Sequence, residues 1–142
     1  MVKQLSIFLQ NESGKIAEIA ETLAENSIDI RALNIADTPD FGILRMLVSD
    51  VETAVRVLAA KGYVAKATPV TVAAVPDEIG GLARVLGVMS SGGIDIEYMY
   101  SYLGRNSGRA YMIFRSGDEV ALGNLLSSHG ITVVDKDDLH LK

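Results

Sequence analysis

The sequence predicts an α+β fold made of two similar βαββαβ units in tandem, each a four-stranded antiparallel sheet with two helices on one face. Three observations predict it. Residues 14–30 (GKIAEIAETLAENSIDI) and 80–96 (GGLARVLGVMSSGGIDI) match without a gap, aligning Gly14 with Gly80 and Ile28, Asp29 and Ile30 with Ile94, Asp95 and Ile96. Each segment carries apolar residues at i, i+3, i+4 and i+7: Ile16, Ile19, Ala20 and Leu23 in one, Leu82, Val85, Leu86 and Met89 in the other. Strand-like runs flank both helices in the same order.

In the first copy an opening strand over residues 3–9 leads into the first helix. Residues 28–36 and 42–49 then read as two strands, broken by Thr38, Pro39 and Asp40. Ala54, Val57 and Leu58 mark a second helix that stops at Gly62, and residues 63–67 close the unit. The second copy repeats this plan. It opens at 70–75, pairs 94–103 with 109–114 across the turn 104–108, places Leu122, Leu125 and Leu126 on a helix ending at Gly130, and closes at 131–134. GRNSG at 104–108 joins two strands and does not lead into a helix, so it reads as a hairpin turn and not as a phosphate loop. Only Thr68 and Pro69 separate the closing strand of one copy from the opening strand of the next, which places the domains at residues 1–68 and 69–142 and predicts rigid docking. Units of this order close in the ferredoxin-like arrangement.

Composition excludes several classes of function. With 49% hydrophobic and 22% charged residues the 142-residue chain has material for packed cores. Thirteen Lys and Arg against 18 Asp and Glu give a net charge of −5, which disfavours nucleic-acid and membrane-surface partners. No leader-like segment and no bilayer-length apolar run is present, so a soluble, cytoplasmic protein is expected. Zero cysteines exclude disulfides, thiolate metal sites and cysteine nucleophiles. His129 and His140 lack the spacing of a metal-ligand pair, and His129 before Gly130 suits the exposed carbonyls of a helix end. Met89 reads as core filling. No catalytic residue, cofactor or metal is expected.

Candidate binding residues fall in two places. One is the turn before each first helix: Asn11, Glu12, Ser13, Gly14 and Lys15 in copy one, and Asp77, Ile79, Gly80 and Gly81, with Glu78 between, in copy two. Backbone N–H groups and the positive end of the helix dipole gather there, so a carboxylate can dock, and Asn11 or Asp77 is placed to answer an ammonium group. Ordinary N-capping by Ser13, Asn11 or Asp77 competes with that reading and stands ahead of it. The other place is the strand after the helix, where Ile30 and Ile96 open the run. Strict alternation puts Ile94, Ile96, Tyr98, Tyr100 and Tyr102 on one face and Asp95, Glu97, Met99 and Ser101 on the other; a half-buried aromatic stripe with its hydroxyls at water accounts for two of the three tyrosines, and a tyrosine wall would also suit a sizeable side chain.

Residues 11–30 and 77–96 resemble the ACT-domain pattern of an Asp-Pro-Gly turn, an apolar helix and a strand opening Ile-Asn-Ile. Two copies at one spacing cover nearly the whole chain. The resemblance implies a tandem amino-acid-binding regulatory protein, in which the turn of one module and the second strand of a neighbouring module hold a free amino acid. It also implies a homodimer and a separately regulated enzyme or transcription factor. Asp77 and Gly80 match the acidic and glycine positions of the motif, as Asn11 and Gly14 do in copy one. Ser13 and Ile79 replace the proline, Asn11 the acid, and Asp29 and Asp95 the asparagine. Copy two is the better match. The alternatives are a small enzyme on a ferredoxin-like scaffold, which lacks a paired catalytic constellation here, and an RNA-binding module, which would need its aromatics among basic residues.

Overall fold

In the computed structural model, which describes residues 1–10, 12–37, 40–103 and 108–142, the repeat appears as two backbone copies. The elements run β1 (Val2–Gln10), α1 (Lys15–Glu25), β2 (Ile30–Asp37), β3 (Phe41–Val48), α2 (Val51–Ala60), β4 (Val64–Pro76), α3 (Gly81–Ser91), β5 (Ile96–Ser101), β6 (Arg109–Ser116), α4 (Glu119–Ser128) and β7 (Val133–Val134). One unit comprises residues 3–68 with 140–142, and the other residues 69–139 with Met1 and Val2. The first is ordered β2-β3-β1-β4, and the second β5-β6-β4-β7 with the later part of β4 as its opening strand. The pairings β1 with β3, β2 with β3, β4 with β6 and β5 with β6 are all antiparallel.

Apolar periodicity decides which side the helices take. In the first unit Leu5, Ile7 and Leu9 of β1 and Leu44, Met46 and Val48 of β3 form one core with Ile19 and Leu23 of α1 and Ala54 and Leu58 of α2. In the second, Ala73, Val75 and Phe114 meet Val85 and Met89 of α3 and Leu122 and Leu126 of α4. Both helices of each unit therefore lie on one face of its sheet, and Met89 is core. Of the predicted stripe in α1, Ile16 at the first turn remains 42% exposed.

The second helices start alike. Asp50 (φ −147, ψ 90) and Asp118 (φ −147, ψ 95) are N-caps whose carboxylates accept from the N–H of Thr53 and Ala121. This satisfies one of the donors that a helix start leaves without an intrahelical partner. At the other end of α4 His129 is the C-cap, and its Nδ1 lies 3.0 Å from the carbonyl oxygen of Leu125.

Three departures from the sequence reading have local causes. Thr68 and Pro69 do not break the chain into two strands, because β4 is continuous over 13 residues; proline has an extended-compatible φ and forfeits only one ladder donor. The closing strand of the second unit is only Val133 and Val134, paired with Ala73 and Val72. The register of β5 shifts between Ile96 and Tyr98, as that of β2 shifts between Ile30 and Ala32. Each shift is a bulge, and a bulge reverses every face assignment beyond it. Ile94, Ile96 and Met99 consequently pack against the helix-side core, and Tyr98 and Tyr100 share the opposite face. The single tyrosine-bearing face that alternation placed in line with Ile94 and Ile96 does not exist.

The second unit also holds a buried carboxylate. Glu119 is 8% exposed. Its oxygens accept from Thr71 Oγ1 and from the N–H of Ser116 at 2.7 Å, with Arg115 Nη1 at 3.6 Å. Arg115 also donates to the Pro69 carbonyl at 2.8 Å and lies 3.5 Å from Glu97. The first unit has Val51 at the matching position, inside its apolar core.

The Asp50 cap is open to a pH test. Hydrogen bonds from the N–H and hydroxyl of Thr53 hold its pKa below the ordinary carboxylate value. A lowered folded-state pKa contributes stability that is present above the unfolded-state value and is lost as pH falls through the folded one. Asp50→Ala is expected to cost about 1 kcal/mol at pH 7. Urea denaturation at a series of pH values should show this difference shrinking below about pH 4 and closing in stronger acid.

Candidate functional site

The turn before the first helix is built the same way in both units, and differently from the starts of α2 and α4. Gly14 and Gly80 are the N-caps of α1 and α3, each with φ 84 and ψ −4, and neither helix receives a side-chain cap. This left-handed conformation is costly for an L-residue and open to glycine. The capping expected from Ser13 or Asp77 is therefore overturned, since the cap position belongs to a residue with no side chain. Asn11 lies outside the described residues. The first N–H of each helix is met from within the turn, Lys15 donating to the Glu12 carbonyl at 3.5 Å and Gly81 to the Glu78 carbonyl at 3.0 Å, and a Cβ built at Gly14 or Gly80 would meet nothing within 4 Å.

Around that shared backbone the two turns differ. In the first unit Glu12 and Ser13 are exposed and Lys15 is half-buried. Lys15 Nζ lies 3.8 Å from the Glu12 carboxylate and 5.9 Å from the centroid of the Tyr63 ring. The turn opens onto a cavity of about 420 Å³ whose walls include Phe8, Gln10, Glu12, Lys15, Gly62 and Tyr63. Strand order explains the meeting: β4 lies beside β1 and runs antiparallel to it, so the α2–β4 turn arrives where β1 ends. The Tyr63 hydroxyl is buried beside the Glu18 carboxylate, which is its side-chain hydrogen-bond partner. Burial first, and the nearby Glu18 carboxylate second, raise its pKa, so it stays a protonated donor.

In the second unit Asp77 and Ile79 are exposed, and the Asp77 N–H donates to the Gly108 carbonyl at 3.1 Å. Gly81 replaces the lysine. It is buried, and a Cβ there would lie 2.2 Å from the carbonyl oxygen of Pro76, so this turn is closed against its own backbone. A second cavity of about 280 Å³ lies elsewhere in the same unit, lined mainly by Val70, Val72, Val120 and Val133 with Glu119, whose oxygens are already engaged.

The structure thus brings Glu12 and Lys15 together at one cavity, with Gly14 in the same turn but outside its lining, and Asp77, Ile79, Gly80 and Gly81 at an equivalent but closed turn. It does not bring the strand residues to a common surface. Ile30 and Ile96 pack against the cores of their own units, and Tyr98 and Tyr100 lie across the sheet from Ile96, stacked with ring centroids 6.5 Å apart. Sequence reasoning missed Gln10, Gly62 and Tyr63. Their signal was the βαββαβ order itself, which sets the start of the fourth strand beside the end of the first. Among the described residues no helix is long and apolar enough to cross a membrane, and no group of three His, Asp or Glu could hold a metal ion.

Comparison with known proteins places this geometry in context. A family model described as an ACT domain pair matches residues 1–141. A crystal structure of a Bacteroides thetaiotaomicron protein superposes with a TM-score of 0.90 at 38% identity, covering 98% of this chain and 95% of that one. The ligand-free regulatory subunit of aspartate kinase from Thermus thermophilus gives a TM-score of 0.62 at 16% identity, covering 89% and 91%. The corresponding subunit from Thermus flavus gives 0.56 at 16%, covering 90% and 93%. No curated protein sequence matches the chain.

The two glycine-rich regions of α3 make opposite demands. Gly81→Ala drives a Cβ into the Pro76 carbonyl and is expected to cost about 1–3 kcal/mol. Gly87→Ala, at an exposed helix position with nothing within 4 Å of its Cβ, is expected to stabilise by up to about 1 kcal/mol. Chemical denaturation of the pair measures both signs in one helix.

Proposed function

The chain belongs to the ACT domain pair family, and from that premise we propose that it is a regulatory protein that binds a free amino acid and has no catalytic activity of its own. The observation that carries this reading is the first-unit turn. An uncapped helix start, the Lys15 ammonium and the Glu12 carboxylate stand together at a cavity of about 420 Å³, within the size range of small-molecule pockets. An α-carboxylate is answered by the N–H groups of α1 and by Lys15, and an α-ammonium by Glu12. Both charges of a zwitterion find opposite partners within one turn. Gly14 lets the ligand approach the backbone.

The equivalent turn at Asp77 and Gly80 shares the backbone and lacks the lysine, so binding there is weaker. Regulation fits the family and the regulatory subunits that share the fold. In the cytoplasm the output passes to a separate enzyme or transcription factor, or to the chain's own assembly as a homodimer, for which β2 and β5, at the ends of the strand order, are the edge strands.

A thermal-shift screen over the twenty amino acids, followed by calorimetry on the hits, tests the reading. At least one amino acid is expected to raise the melting temperature, by an amount equivalent to about 2.7 kcal/mol at a hundredfold excess over Kd. A chain whose melting curve none of the twenty moves is not an amino-acid sensor.

A further inference from the structure

The cavity of about 280 Å³ in the second unit lies away from the glycine turn, lined by β4, β7 and the first half of α4. Its origin is two replacements along one helix. In the first unit Val51 of α2 is buried in the core and Val55 packs against it. At the matching positions of α4 stand Glu119 and Gly123. Glu119 turns its carboxylate to Thr71 and to the N–H of Ser116, and Gly123 offers no side chain. A Cβ built at Gly123 would meet nothing within 4 Å. Glycine is among the least favourable residues inside a helix, and here it leaves open the space that a valine fills in the other copy.

The lining fixes the chemistry of an occupant. The walls are chiefly those of Val70, Val72, Val120 and Val133. The polar side chains at the margin already have partners: Thr71 donates to Glu119, Glu119 accepts at both oxygens, and Asp135 accepts from the N–H of Lys136 at 2.8 Å. None of them calls for a polar ligand. The ionisable side chains in the lining, Glu119 and Asp135, are both carboxylates, so an anion is repelled. An aliphatic-walled cavity of about 150 Å³ already admits benzene. We infer that this cavity is a second ligand site, for a compact branched aliphatic group without negative charge, seated where the first unit places the side chains of Val51 and Val55. It lies in the other unit from the Lys15 turn, and its occupation does not depend on amino-acid binding there.

Isoamyl alcohol is the probe, titrated into the full chain and followed by methyl NMR, with isovalerate beside it as the same hydrocarbon ending in a carboxylate. The alcohol is expected to shift the methyl signals of Val120 and Val133 with a Kd on the order of 1 mM. Isovalerate is expected to bind at least about tenfold more weakly. Gly123→Val restores the side chain of the first unit, and is expected to weaken the alcohol at least about tenfold while raising the melting temperature by about 2–4 °C. Gly123→Ala, a smaller change that keeps the test open should valine not be accommodated, is expected to weaken it about threefold. Gly87→Ala on α3 leaves binding unchanged. The inference is overturned if neither valine shows a saturable shift, if both Gly123 variants bind the alcohol like the parent, or if isovalerate binds as tightly as the alcohol.

Discussion

A backbone conformation at two residues governs how this molecule can meet a ligand. Gly14 and Gly80 take φ 84 and ψ −4, turning the chain from strand to helix without lending the helix a side chain. The other two helices begin at Asp50 and Asp118 in extended conformation and close their first turns with a carboxylate. Each unit thus has one helix start closed by the carboxylate of its cap residue and one whose cap residue offers no side chain. At the glycine turns the first helical N–H is met instead by the carbonyl three residues back, from Glu12 and from Glu78.

The bulges in β2 and β5 make the second constraint. They reverse the strand after the helix, so that Ile30 and Ile96 anchor it to the core while the residues beyond turn their alternate faces over. Arg31 and Glu97 occupy the extra position in the two copies, and each is paired within its own unit, Arg31 Nε with Asp29 at 2.7 Å and Glu97 with Arg115 at 3.5 Å. The bulge therefore frees a polar residue from the ladder and gives it an ion-pair role, while Tyr98 and Tyr100 are moved off the side their spacing suggests.

What was legible in the sequence follows from which forces act locally. The repeat, the helical stripes and the glycine turns depend on side-chain periodicity and on a positive φ, and each leaves a mark on neighbouring residues. The aspartate caps went unread, although Asp50 stands directly before the apolar helix that it caps. The bulges were not legible, because an inserted strand residue has no composition of its own and Ile-Glu-Tyr-Met-Tyr alternates as well without one. Pro69 misled in the other direction: proline signals a break, yet a strand that can do without one donor accommodates it. Tyr63 was invisible as a site residue because its part in the cavity depends on strand order, a property of the whole unit and not of its segment.

The two copies have kept the backbone and diverged in where their polar groups point. The second unit turns them inward: Glu119 replaces a core valine and ties Thr71, Ser116 and Arg115 together, and Gly81 seats its turn against Pro76. The first unit has an apolar core at the matching places and leaves Lys15 and the Tyr63 hydroxyl at a cavity instead. A buried carboxylate whose acceptors are all engaged fixes a structure, since removing any partner strands a charge. Resemblance to the acidic turn motif favours the second copy through Asp77, and the backbone shape of that motif is shared by both copies. What differs is the side chains around it: Lys15 and Glu12 at a cavity in the first copy, Gly81 against Pro76 in the second.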